Sequence, residues 1–161
     1  MHVKTRTGLL VIAVTAALAV FAIPALAQDK PADTMQIVRD KIRADKKLFI
    51  AENMQLTESE AKAFWPVYES YQQEVSKLAD RMIKLIKDYA TNYRTMSDEV
   101  AKTLVDDYLA IEAERQQLRQ DYLPQFRKVL PEKQVARYYQ IENKVHAAVS
   151  YELAAEIPLV K

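Results

Sequence analysis

After residue 27 this chain has no glycine. The one glycine among its 161 residues is Gly8, and cysteine does not occur. Glycine supplies the positive-φ turns and close backbone approaches on which phosphate loops, nucleophile elbows and most tight hairpins depend. A chain that lacks it has few ways to build such sites, but it can still build helices, and long ones. That points away from an enzyme and toward a helical binding or structural protein, and no catalytic residues are expected.

The apolar spacing agrees. From Phe64 the large apolar side chains run Phe64, Tyr68, Tyr71, Val75, Leu78, Met82, Leu85, Tyr89. Their steps alternate between four and three, the heptad seam of helices that pack in left-handed, coiled-coil fashion. A second seam runs Ala101, Leu104, Tyr108, Ile111, Arg115, Leu118, Tyr122, with Arg115 at a position where an apolar residue is expected. There it can snorkel, fix the register with a partner or face a groove. No run of alternating polar and apolar residues bounded by turns appears, so no sheet is predicted.

Start and stop signals divide the chain into four helices. Asp33 caps a first helix carrying Met35, Val38, Ile42, Phe49 and Met54. Thr57-Glu58-Ser59-Glu60 is a capping box and opens the second. Tyr93 to Met96 reads as a turn, and Ser97 followed by Asp98 and Glu99 opens the third with the charge its dipole favours. The fourth begins near Pro131, carries Val135, Tyr138, Ile141, Val145, Ala148 and Val149, and ends by Glu156 because Pro158 disfavours helix at Ile157. Pro66 and Pro124 fall within the second and third helices, where a bend is the default expectation. A helix over 58–93 would be ~54 Å long. A compact globule of this mass is only ~36 Å across, so the helix is either kinked or completed by a second chain.

The N-terminus has the three parts of an export signal. Lys4 and Arg6 precede an apolar stretch from Leu9 to Ile23, and Ala25-Leu26-Ala27 is a small-x-small cleavage site. The apolar stretch is shorter than the ~20 residues that span a bilayer, so cleavage is expected rather than lasting membrane insertion. The organisation expected is a signal peptide over 1–27, a leader over 28–32, one all-helical domain over 33–156 and an apolar tail over 157–161. Loss of Lys4 and Arg6 leaves 21 basic and 22 acidic residues, so no nucleic-acid partner is expected. The periplasm of a Gram-negative bacterium is the expected compartment.

Leu56-Thr57-Glu58-Ser59-Glu60 has an echo at Leu130-Pro131-Glu132-Lys133-Gln134. Each is a leucine, a cap or turn residue, two polar residues and a Glu or Gln that opens a helix. The pair resembles the doubled Leu-Thr-x-x-Gln signature of the Spy/CpxP family of periplasmic proteins, over roughly residues 45–145. Glu60 replaces the first glutamine and Pro131 the second threonine. Ala63-Phe64-Trp65-Pro66-Val67-Tyr68 also resembles a more distant branch, often left without a function. The resemblance implies a curved four-helix cradle formed by an antiparallel homodimer. Such proteins bind unfolded or envelope proteins without ATP, or damp an envelope-stress sensor. It also implies that Leu56, Thr57 and Glu60, with Leu130, Pro131 and Gln134, fix helix ends rather than perform chemistry.

Other candidates are weaker. His146 is the one histidine after residue 27, too few for a transition-metal site that wants two or more His or Cys ligands, so no metal and no cofactor is expected. The acidic residues Asp106, Asp107, Glu112 and Glu114 read as a solvated, ion-paired helix face. Tyr, Trp and Arg are favoured at adaptable binding surfaces. Trp65, Tyr93, Tyr138 and Tyr139, with Arg115 and Arg119, are therefore the candidate client-binding residues. A metal- or stress-sensing accessory protein with one dedicated partner, and a structural coiled coil of the envelope, are the alternatives.

Overall fold

Helix α1 covers residues 44–54, α2 Glu58–Asn92, α3 Asp98–Val129 and α4 Glu132–Glu156. These come from a computed structural model in which residues 44–160 are described. The signal peptide and leader expected from the sequence, and residues 33–43 of the expected first helix, lie outside the described residues, as does Lys161. Among the described residues there is no strand, and the fold is all-α.

Each boundary follows from local chemistry. The Thr57 hydroxyl accepts from the Glu60 amide at 3.3 Å, and the Glu60 carboxylate accepts from the Thr57 amide at 2.9 Å, which completes the capping box. Ser97 caps α3 through the Val100 amide, with Asp98 and Glu99 in the first turn and Arg127 and Lys128 in the last. The Ile157 amide closes α4 on the Leu153 carbonyl before Pro158. Pro66 and Pro124 are both internal, and α2 and α3 each run through their proline as one helix.

Contacts between distant residues fix the topology. Phe64 meets Phe126, Ser70 meets Tyr122 and Arg81 meets Glu114, so α3 runs back along α2. Phe64 meets Tyr138 and Gln72 meets Glu142, so α4 runs parallel to α2. Lys46 meets Glu142 and Asn53 meets Arg137, so α1 runs against α4. The directions alternate along the chain.

Burial is concentrated at one end. Ile50 and Met54 of α1, Phe64, Tyr68 and Tyr71 of α2, Phe126 and Leu130 at the end of α3, and Val135, Tyr138 and Ile141 of α4 form a single buried cluster. Rings dominate it, and most of their pairs meet edge-on or tilted at 4.6 to 6.4 Å between centroids. Toward the α2–α3 turn, Leu78 and Ile111 are the buried apolar side chains among the described residues. Of the two seams read from the sequence, the first is buried or half-buried throughout. In the second, Tyr108 departs by being 48 % exposed. At its level α3 is solvated on every side but the strip facing α2, and residues 105–110 are all exposed.

Candidate functional site

The two related pentapeptides open parallel helices, and both deliver their leucine to the same cluster. Leu130 is buried there and Leu56 packs half-buried against it. Their caps differ for a simple reason. Glu60 finds the Thr57 amide, and this bond, with one from the Thr57 hydroxyl, holds its carboxyl below the usual carboxylate range. Pro131 has neither an N–H nor a hydroxyl to offer. Its carbonyl accepts from the Gln134 and Val135 amides, but the Gln134 side-chain oxygen is buried without a hydrogen-bond partner.

Above the rings lies a polar knot. Lys46 of α1 donates to Gln72 of α2 at 3.0 Å and to Glu142 of α4 at 2.9 Å, and Gln72 donates to the other Glu142 oxygen at 3.2 Å. Gln72 is buried, and the Tyr138 hydroxyl lies beside it without a well-formed hydrogen bond. Burial, reinforced by Glu142, pushes the ionisation of Tyr71 and Tyr138 well above the ordinary tyrosine value. No sequence signal marks this knot, because its members lie 26, 70 and 96 positions apart.

The six residues proposed from sequence for client binding do not converge. Trp65 is half-buried, with its ring edge-on to Phe64 and Tyr68 and the Lys47 ammonium 5.1 Å above its centroid. Tyr93 lies beside Tyr89 at the opposite end of α2, ~40 Å away at the rise of a helix. Tyr138 is 1 % exposed and belongs to the core, so it presents no surface in this arrangement. Tyr139 and Arg119 do come together: the Tyr139 hydroxyl donates to the Arg119 carbonyl at 2.6 Å, and the guanidinium lies 5.6 Å over the ring. Arg115 is half-buried in the seam and bonds Glu112 on its own helix.

His146 is half-buried and 3.4 Å from the Ser150 hydroxyl; burial and the nearby Arg115 hold its pKa below the usual histidine value. Among the described residues no three His, Cys, Asp or Glu side chains are grouped to hold a metal ion. No helix among them is long and apolar enough to cross a membrane.

Large apolar side chains are instead exposed toward the α2–α3 turn. Val105, Tyr108 and Leu109 stand out on α3, and Val149, Tyr151 and Leu153 on α4, with Leu159 and Val160 beyond it. The Tyr89 hydroxyl donates to the Pro158 carbonyl and ties the start of that tail to α2. In comparison with known proteins, no family description, no curated protein and no solved structure matches the chain.

Proposed function

We propose that this is an exported, ATP-independent, chaperone-like protein of the Spy/CpxP type, which binds unfolded or envelope proteins in the periplasm through its helical surface and performs no chemistry. The observation that carries this reading is the uncovered apolar surface of α3 and α4. Leu109 is 59 % and Tyr151 75 % exposed, within a set of eight such side chains on α3, α4 and the tail. Val105, Tyr108 and Leu109 lie at helical spacing on one face of α3, and exposed apolar side chains grouped in this way suit the binding of a partner or client.

Charged pairs accompany the set, including Lys102 with Asp106 one turn before Val105 and Leu109. Such a surface holds sticky segments through apolar contact while remaining soluble. The two leucine-led helix starts deliver their leucines to one core, in keeping with the structural, helix-end role that the resemblance implies for them. In this reading a second copy completes the curved cradle.

The test is light scattering of a denatured, cysteine-free client diluted with and without an equimolar amount of the chain from Gln28 onward, in the absence of ATP. Suppression that weakens when Leu109 and Tyr151 are changed to Ser, with the fold retained by circular dichroism, supports the reading. No suppression removes it and turns attention to a single dedicated partner.

A further inference from the structure

Helix α1 lies on an aromatic floor that does not depend on it. Of the ten side chains in the buried cluster, eight come from α2, α3, α4 and the α3–α4 link, and α1 adds Ile50 and Met54. The rings of Phe64, Tyr71, Phe126 and Tyr138 contact one another without help from α1. Phe49 packs half-buried against the edge of the cluster, and the rest of α1's attachment is made by long polar side chains. Lys46 reaches Gln72 and Glu142, Lys47 reaches Glu69 and covers Trp65, and Arg137 donates to the Asn53 carbonyl.

Two local features separate α1 from α2. Residue Gln55 turns the chain at φ 52°, a left-handed conformation that glycine adopts freely and glutamine does not. Beyond it, α2 carries its own complete capping box, so the start of α2 is satisfied without α1. Beneath α1 the floor is not purely apolar, because Gln72 and the Tyr138 hydroxyl are set into it.

We infer that residues 44–54 are a built-in occupant of a latent binding groove between α2 and α4, and that an amphipathic segment of the same pattern displaces them. The pattern is set by α1 itself: a pair of lysines, then an aliphatic side chain three to four positions on and another four beyond it, as in Lys46, Lys47, Ile50 and Met54. The rings receive the aliphatic pair. Glu69, Gln72 and Glu142 receive the amines, and Arg137 receives a carbonyl at the segment's C-terminal end. The inference deepens the client-binding reading by adding a second, covered surface, and it assigns Tyr138 a role that burial denies it while α1 is in place.

Hydrogen exchange on the chain from Gln28 onward, with no substitution, tests the first half. Amides of 44–54 should exchange at least tenfold faster than those around Phe64 and Tyr138; equal protection overturns the inference, because α1 is then part of the same cooperative unit. The second half is read with a fluorescent peptide of residues 44–56. It should bind an Ile50→Asp variant at least tenfold more tightly than the unsubstituted chain, and a peptide carrying the same Ile50→Asp change should not bind. If that variant does not fold, competition between the peptide and α1 is measured as faster exchange of 44–54 in the unsubstituted chain on adding peptide. No acceleration overturns the inference. Aggregation suppression that persists when the peptide fails to bind would refute this groove and leave the exposed α3–α4 surface standing.

Discussion

Gln134 sits one turn after Pro131, bonds its carbonyl through the backbone at 2.9 Å, and leaves its own side-chain oxygen buried without a donor. At the sister position Glu60 has the donor that Pro131 lacks. The backbone is already suitable: Pro131 has φ −59°, ψ 149° and Thr57 has φ −65°, ψ 163°. Pro131→Thr should therefore restore a reciprocal cap. A hydroxyl cap is worth ~1 kcal/mol, and losing the proline's restriction of the unfolded chain costs somewhat less, about 0.4–1 kcal/mol. A net gain of a few tenths of a kcal/mol is expected in urea unfolding. It should shrink but not vanish when Gln134 is also changed to Leu, because that change removes only the bond from the residue-131 amide to the Gln134 side chain and leaves the hydroxyl on the residue-134 amide.

Lys46 and Glu142 form an ion pair whose side chains are 19 % and 13 % exposed. Removing one partner of a well-buried pair costs ~3–5 kcal/mol, and the remaining solvent contact here lowers that to roughly 2 kcal/mol. Lys46→Ala or Glu142→Ala should each lower stability by about that amount, since each leaves a half-desolvated charge behind. The double change Lys46→Met with Glu142→Leu should cost less than either single change. A double-mutant cycle in denaturant measures the coupling directly.

The buried tyrosines make the fold sensitive to alkali. In the folded chain Tyr71 and Tyr138 ionise well above the value near 10 that they have when unfolded. Folding thus favours the protonated phenols, and their contribution is complete below about pH 10 and falls as pH rises further. Unfolding midpoints followed from pH 8 to 11.5 should drop steeply above pH 10. Tyr138→Phe should flatten that drop and leave stability at pH 7 unchanged or raised, because the hydroxyl it removes makes no well-formed bond.

Gln55 is the non-glycine residue at positive φ among the described residues. Gln55→Gly should relieve the left-handed turn after α1 and raise stability by roughly 0.5–1 kcal/mol, less the entropy glycine gains in the unfolded chain. Differential scanning calorimetry will show it as a small upward shift in Tm. A downward shift would mean that the Gln55 side chain, and not its backbone, matters.

Much of this fold is written locally. Thr57 with Glu60, Ser97, and Pro158 after Ile157 each mark a helix end within four residues, and each end falls where those residues place it. What is not local is harder to read. Phe126 continues the seam of Leu118 and Tyr122 by one further step of four, but Pro124 between them disguises it. Tyr138 and Tyr139 are adjacent and chemically identical, yet one is core and the other half-buried under Arg119. A helix turns about 100° per residue, and only the neighbouring helices decide which of the two faces inward. The Lys46–Gln72–Glu142 knot joins three helices and leaves no trace in spacing or composition.

The two links of the α2–α3–α4 path are unequal. Leu130 anchors the α3–α4 link in the core, with the exposed Pro131 beside it, whereas residues 93–97 turn the chain where Leu78 and Ile111 are the nearest buried apolar side chains. Growth is therefore permitted at one end and forbidden at the other. Seven residues added to each limb of the α2–α3 pair preserve its facing positions and disturb no ring, whereas a single residue inserted at 130–131 rotates Tyr138 out of the interior. A lineage of such chains can change its reach without redesigning its centre.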